Sequence, residues 1–381
     1  MAGNRSIFEE VSDEAGTRLA AETGGIARGG GGGRGRGAIR LWLMVLFTLV
    51  AAMVVVGGLT RLTDSGLSIT EWNVISGALP PMGEAAWTAE FEKYKAIPEF
   101  ELQNSDMTLE GFKTIYWWEW GHRQLGRFVG LVWALGFVGF LVTKRIPSGW
   151  TSRLLLLGAL GGAQGAIGWW MVSSGLTGEM VDVASYRLAT HLGLAFLILG
   201  LITWYILLLG RDEPTLMTAR RAREKRLFGL STGLLHLVAL QILLGALVAG
   251  NDAGRSYAEW PLMGGQFFPP HAFDYEPLWR NFFENAGLVQ FIHRIVGYLC
   301  VIFAVVVWNI SRRSPHAMTR QAMALAMVML LTQVVLGIAT LLTAAQLHAA
   351  ITHQVGAILA FVLVLRARFQ AGYPAEQSVR G

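Results

Sequence analysis

The stretch Trp117-Trp118-Glu119-Trp120-Gly121-His122-Arg123-Gln124-Leu125-Gly126-Arg127 decides how this chain is read. It opens a long apolar segment, yet it holds a carboxylate, an imidazole and two guanidinium groups. Ionisable residues where a chain enters a bilayer are expensive, so they need a partner or a task. The stretch has an echo at Gln290-Phe291-Ile292-His293-Arg294-Ile295-Val296-Gly297-Tyr298. Both copies contain His-Arg-x-x-Gly, and both carry a polar residue three positions before the histidine. The rest of the chain reads as a frame that brings a second histidine to each copy.

Composition sets the class. Of 381 residues, 53% are hydrophobic and only 15% charged, where soluble domains carry about 25% charged residues. Apolar runs of about 20 residues recur along the chain, as in a polytopic membrane protein. The net charge of +5 fits positive loops on one membrane face, so no nucleic-acid partner is expected. The single cysteine, Cys300, lies in an apolar run and excludes an internal disulfide or a cysteine metal site.

The fold expected is an all-α integral membrane protein with eight transmembrane helices arranged as two repeated four-helix bundles. The spans fall roughly at 41–60, 117–143, 152–173, 185–209, 227–249, 288–310, 320–343 and 347–366. Residues 1–40, with a glycine run at 29–33, read as a disordered tail. The acidic residues Glu9, Glu10, Asp13 and Glu14 are unlike a mitochondrial transit peptide. The N-terminal bundle covers 41–210 and includes a long outer loop at 61–116. A basic linker follows at 211–226. The C-terminal bundle covers 227–367, with an aromatic outer loop at 250–287, and 368–381 form a second tail. Lys144, Arg145 and Arg153, the basic linker, Arg312, Arg313 and Arg320, and Arg366 and Arg368 lie on alternate loops. The positive-inside rule places them and both termini in the cytoplasm. This is the topology of a multi-pass protein of a bacterial inner membrane, embedded in the lipid bilayer.

The halves match feature by feature. His122-Arg123 answers to His293-Arg294, Gln164…Gly168 to Gln333…Gly337, and Thr190-His191 to Thr352-His353. The ends of the first and fifth spans also correspond, bringing Asp64 into register with Asn251 and Asp252; helix capping and a pocket role both suit those three. Four matches in the same order point to a duplication about an axis along the membrane normal. In each half the two histidines lie near the outer ends of the second and fourth helices. Two imidazoles facing each other across a four-helix bundle are a common way to hold heme iron. Gly126 and Gly297 lie one turn beyond their histidines, where a flat macrocycle needs room. Arg123, Arg127 and Arg294 are available to propionates. The halves differ three residues before the histidine: Glu119 in the first, Gln290 in the second. A carboxylate moves protons or stabilises a cation and an amide does not. The first half is therefore the candidate reaction site. The plain alternative for Glu119 is an ion pair with Arg123 one turn on.

These residues resemble the heme A synthase family over nearly all of 41–366. The resemblance rests on GGLTRLTDSGLSITEW at 57–72, EWGHRQLGR at 119–127, HRIVGY at 293–298 and THQVGA at 352–357. The first outer loop lacks the cysteine pair of one branch of that family. The resemblance implies an oxidoreductase that converts heme O to heme A for cytochrome oxidase, by two successive hydroxylations of a ring methyl group and loss of water. It implies that His293 and His353 ligate a heme b cofactor. His122 and His191 would line the heme O site, toward the outer face, and Glu119 would be the catalytic carboxylate. Expected partners are a heme O synthase, a redox partner and further copies of the chain. A diheme b-type electron-transfer protein shares the four histidines but does not require Glu119. A heme transporter would need polar groups at the midplane, whereas here they cluster near one face.

Overall fold

The computed structural model describes residues 32–178 and 180–375. Residues 1–31 and 376–381, where most of the first tail and the end of the second were expected, lie outside the described residues. Among those described, the chain is all-helical with eight helices long and apolar enough to cross a membrane. They are α1 (Gly32–Leu62), α2 (Leu109–Val142), α3 (Thr151–Val172), α4 (Ser185–Leu209), α5 (Lys225–Gly250), α6 (Ala286–Ser311), α7 (Ala317–Leu342) and α8 (Leu347–Gly372). Helices suit such segments because every backbone group is satisfied within the segment. This is a multi-pass membrane protein.

Four stretches differ from the sequence reading, one being α2, which begins at Leu109 rather than 117. α1 reaches back to Gly32, so residues 32–40 are helical. The neighbouring glycines disguise this, because glycine is a poor helix former in sequence terms. Ile39 and Leu43 are nevertheless fully buried and tie that end down. The basic segment 211–226 contains a helix, Glu213–Arg221, capped by the Asp212 carboxylate, which accepts from Thr215 N at 2.9 Å. α8 continues to Gly372 because Ala367, Phe369 and Ala371 are buried.

The first four helices close a ring of neighbours: α1 packs on α2, α2 on α3, α3 on α4 and α4 on α1. The last four repeat this pattern from α5 to α8. The two sets meet through α4 with α5, α8 with α1, and α4 with α8. A dense apolar core that includes Leu43, Leu154, Leu199, Leu234, Val307, Ala326 and Val364 fills one end of all eight helices. The four matched histidines occupy the other end.

That other end is covered by the segment between α1 and α2, which is folded rather than loose. It contains helices Glu84–Lys95 and Pro98–Gln103. Phe91 and Tyr94 from the first of these helices and Ile97 between the two pack with Leu67, Ile69, Phe112, Tyr116 and Val183 into a second apolar cluster. α2 has 34 residues, or about 51 Å at 1.5 Å per residue, well beyond the ~30 Å hydrocarbon layer. Its first turns rise into this cap. The Thr108 hydroxyl caps the helix start by accepting from Gly111 N at 3.2 Å.

Candidate heme sites

His191, His293 and His353 lie six or seven residues into α4, α6 and α8, which is about 9–11 Å from each helix start. His122 and His191 are close enough to interact electrostatically, and so are His293 and His353. The structure therefore brings the four histidines together as the two pairs expected. The remaining histidines stand apart. His236 Nδ1 bonds to its own helix at Thr232 O (2.8 Å), and His271 pairs with Asp274 at the surface.

Each of the four imidazoles rests on a glycine of a neighbouring helix. A Cβ added at Gly57 would lie 3.0 Å from His122 Cε1, and one at Gly168 would lie 2.9 Å from His191 Cε1. At Gly245 and Gly337 the distances to His293 and His353 are 3.1 and 3.2 Å. Carbon atoms in ordinary contact are about 3.5–4.0 Å apart, so no other residue fits without moving a ring. Four residues before each glycine stands a long side chain: Met53, Gln164, Gln241 and Gln333. Gln164 Nε2 donates to His191 O at 3.0 Å and lies 3.2 Å from both ring nitrogens. Gln241 Nε2 donates to His293 O at 3.0 Å and lies 3.3 Å from the ring Nε2. The Nδ1 atoms of His122, His293 and His353 are shielded from solvent and have no hydrogen-bond partner. Sequence reasoning missed the supporting role of these glycines and of Gln241. The signal was present as a long side chain four residues before a glycine, repeated once in each of four odd-numbered helices.

Glu119 is 3% exposed and sits under the cap. It accepts from Ser68 Oγ and Ile69 N, both at 2.8 Å, and from Arg123 Nε and Nη2 at 3.0 and 2.6 Å. The ion pair with Arg123, the plain alternative, is thus present. Arg123 also donates to Glu71 O and Ile69 O, and Arg127 to Val74 O and Asn73 O. These guanidinium groups hold the main chain of residues 69–74. The second half repeats the clamp with opposite polarity. Gln290 Nε2 donates to Ala253 O, and its Oε1 accepts from Arg294 Nη2 at 2.7 Å. Arg294 also donates to Glu259 O at 3.0 Å. An acid stands where the outer segment offers an N–H and a hydroxyl; an amide stands where it offers a carbonyl. Gly126 and Gly297, expected to make room for the macrocycle, face Met53 Cε and Gln241 Nε2, at 3.3 and 3.1 Å from an added Cβ.

Asp64 and Asp252, left open between capping and pocket roles, join one ionic cluster. Arg61 contacts Asp252 at 2.7 Å, Asp64 at 3.0 Å and Asp182 at 3.5 Å, which ties α1 to the second set of helices. Both aspartates have φ 47° just past a helix end, a left-handed conformation that Asp tolerates better than most residues. Asn251 caps α5 at Leu247 O and reaches Phe283 O. A second tie lies deeper: Gln354 Nε2 donates to Val54 O at 2.6 Å, and its side chain fills the space that Gly58 leaves.

Within the cap, Glu99 is buried with one oxygen unpartnered. Burial, reinforced by the charges of Asp182, Asp64 and Glu119, pushes its carboxyl up to about 8. Burial and the Glu99 charge also raise the Tyr94 phenol.

Eight helices long and apolar enough to cross a membrane, two pairs of histidines seated on glycines and a folded cap define a helical membrane protein with two matched candidate sites. A sequence model of the family described as "Cytochrome oxidase assembly protein" matches residues 40–365. A protein of Ruegeria sp. (strain TM1040) named "Heme A synthase" is 64% identical over 380 residues, covering 99% of each chain. The protein of that name from Ruegeria pomeroyi is 64% identical over 383 residues and the whole of both chains. The one from Paracoccus denitrificans is 63% identical over 377 residues, 99% of this chain and 98% of its own. The chain belongs to the heme A synthase family.

Proposed function

We propose that this protein oxidises a ring methyl group of heme O to a formyl group, giving heme A for cytochrome oxidase. The observation that carries this reading is the set of four imidazoles, each laid on a glycine, with a carboxylate three residues before only one of them. The side chains suit heme: three rings keep a shielded, unpartnered nitrogen, and the glycines fix the ring positions. In this reading His293 and His353 hold a resident heme b, while His122 and His191 flank the heme O substrate. Bound heme b supplies one-electron redox chemistry.

The chain's own residues do the rest. Arg123, Ser68 and Ile69 fix the Glu119 carboxylate one turn before His122 on the same helix. There it stabilises positive charge or accepts a proton at the methyl carbon. The apolar cluster of the cap, with Leu67, Ile69, Tyr94 and Phe112, keeps water from that side. The alternating basic loops orient both termini to the cytoplasm and the sites to the outer face. The matched neighbour pattern of the two helix sets supports a duplicated four-helix unit. A heme O synthase, a redox partner and further copies of the chain are the partners in this scheme.

The test is pigment extraction from cells that make the protein and are supplied with heme O. The wild-type chain yields the formyl pigment; its absence would refute the proposed activity. Glu119→Gln retains heme b and accumulates heme O. Heme A formation at the wild-type rate in that variant would remove Glu119 from the chemistry and leave it the clamp alone.

A further inference from the structure

Between Glu71 and Glu84 the chain reads Trp72-Asn73-Val74-Ile75-Ser76-Gly77-Ala78-Leu79-Pro80-Pro81-Met82-Gly83, without a charged side chain. Its apolar groups turn outward rather than into the cap. Ile75 is 88% exposed, Met82 77%, Leu79 76% and Val74 54%. An apolar patch of this kind marks an interaction surface. The backbone polar groups, by contrast, are occupied. Gln124 Nε2 donates to Gly77 O and Ala78 O at 3.2 and 2.9 Å, and Arg127 donates to Val74 O and Asn73 O at 2.9 and 2.8 Å. The N–H groups of Gly77, Ala78 and Leu79 donate to Asn73, Ile75 and Ser76 O within the segment. Pro80 and Pro81 have no N–H to satisfy. Backbone closed in this way beneath open apolar side chains suits a place poor in water.

Helix α2 gives the depth of that place. Its exposed apolar row runs Phe128, Leu131, Leu135, Val138 and Val142, at the three- and four-residue spacing of one helix face. Lys144 and Arg145 follow at its far end. Gln124 stands 18 residues before Val142, about 27 Å at 1.5 Å per residue, and Arg127 stands about 22 Å from it, both within the ~30 Å hydrocarbon layer. Helix tilt only lowers these heights. Gln124 and Arg127 each precede a member of the row by four residues and share its face. A guanidinium at that depth needs partners such as main-chain carbonyls, and Asn73 and Val74 supply them. We propose that residues 72–82 form a wedge inserted into the leaflet on the cap side, with Val74, Ile75, Leu79 and Met82 against lipid. The occupant of this surface is the bilayer, because the patch continues the lipid-facing row of α2 and carries no charge for an aqueous partner to read. Residues 68–71, which hold Glu119 and Arg123, lie immediately before the wedge. The membrane thereby anchors the stretch that clamps the carboxylate.

The experiment places nitroxide spin labels on the full-length chain in phosphatidylcholine nanodiscs. Cys300 is buried and stays unlabelled, as the chain without an added cysteine verifies. Labels at Ile75→Cys and Leu79→Cys are read against Leu135→Cys on the lipid-facing row and Glu110→Cys at the exposed start of α2. All four side chains are exposed, so the fold tolerates the label. Collisions with molecular oxygen, which concentrates in hydrocarbon, are compared with collisions with a water-soluble nickel chelate. The labels at 75 and 79 favour oxygen, as at 135, whereas the label at 110 favours the chelate. Preference for the chelate at 75 and 79 would overturn the wedge, because the segment would then stand in water. Shielding from both reagents would overturn it too, because a protein surface such as a second copy of the chain would then cover the patch. In a chain that also carries Ile75→Glu and Leu79→Glu, a label at Met82→Cys shifts from oxygen toward the chelate. An unchanged label there would deny those two side chains the anchoring role.

Discussion

Replacing Gly245 by alanine puts a methyl group 3.1 Å from Cε1 of the His293 ring. Carbon atoms settle at about 3.5–4.0 Å, so the overlap is about 0.4–0.9 Å. The backbone of α5 cannot give easily, because Ala246 and Leu247 beside it are buried. The ring cannot swing freely, because Gln241 holds the histidine at its carbonyl and approaches its ring. Overpacking of a filled interior costs about 1–3 kcal/mol. If tipping of the imidazole absorbs that cost, heme b binds roughly 5- to 160-fold more weakly. The assay is the ratio of heme b to protein after purification, together with the low-spin absorbance of the reduced protein. Gly229→Ala is the control: it lies on the same helix with nothing within 4 Å of the new methyl. Heme content and spectrum in Gly245→Ala that match Gly229→Ala would refute the idea that this glycine confines the ligand.

Three further outcomes follow from other parts of the structure. His353→Ala loses bound heme b while His236→Ala keeps it, because His236 bonds only to its own helix; pyridine hemochrome assay of the purified variants reads the difference. Glu99 holds its proton up to about pH 8 in the folded cap, against an ordinary value of 4.5. Its contribution to stability is therefore full below about pH 4.5 and falls as pH rises toward about 8. Thermal midpoints between about pH 5 and pH 9 decline in the wild type and flatten in Glu99→Gln, and parallel slopes would contradict the burial argument. Arg61→Met leaves Asp64, Asp182 and Asp252 without their shared cation. Since those carboxylates are 37–50% exposed, the loss is about 1–2 kcal/mol rather than the 3–5 of a fully buried pair. It appears as a lower thermal midpoint that Asp252→Asn partly restores.

The helices and the histidine set were legible in the sequence because both signals are local. Apolar runs of membrane length admit one backbone solution, and His122, His191, His293 and His353 stand out against lipid-facing neighbours. The limits of α1 and α8 were not legible. Glycine at 32–37 reads as tail, and only tertiary burial of Ile39 and Leu43 holds it helical. The cap was hidden for a related reason: Phe91, Tyr94 and Ile97 bury against Leu67 and Phe112, which are distant in sequence. The arginines have a second task that the sequence hid. Arg123, Arg127 and Arg294 were read as partners for propionates, and the nearby segments present main-chain carbonyls that also engage them. Composition cannot show which way a carbonyl points. The glycines beneath the rings went unassigned because glycine is common in membrane helices and its task depends on what lies opposite.

Gly57 and Gly58 are adjacent on α1, yet one faces His122 and the other receives Gln354, the neighbour of His353. A single peptide unit thus touches both candidate sites, one directly and one through a neighbour. Genetic suppressors of damage near His353 should then arise far away in sequence, among residues 53–58, and some of them should disturb the opposite pocket in exchange.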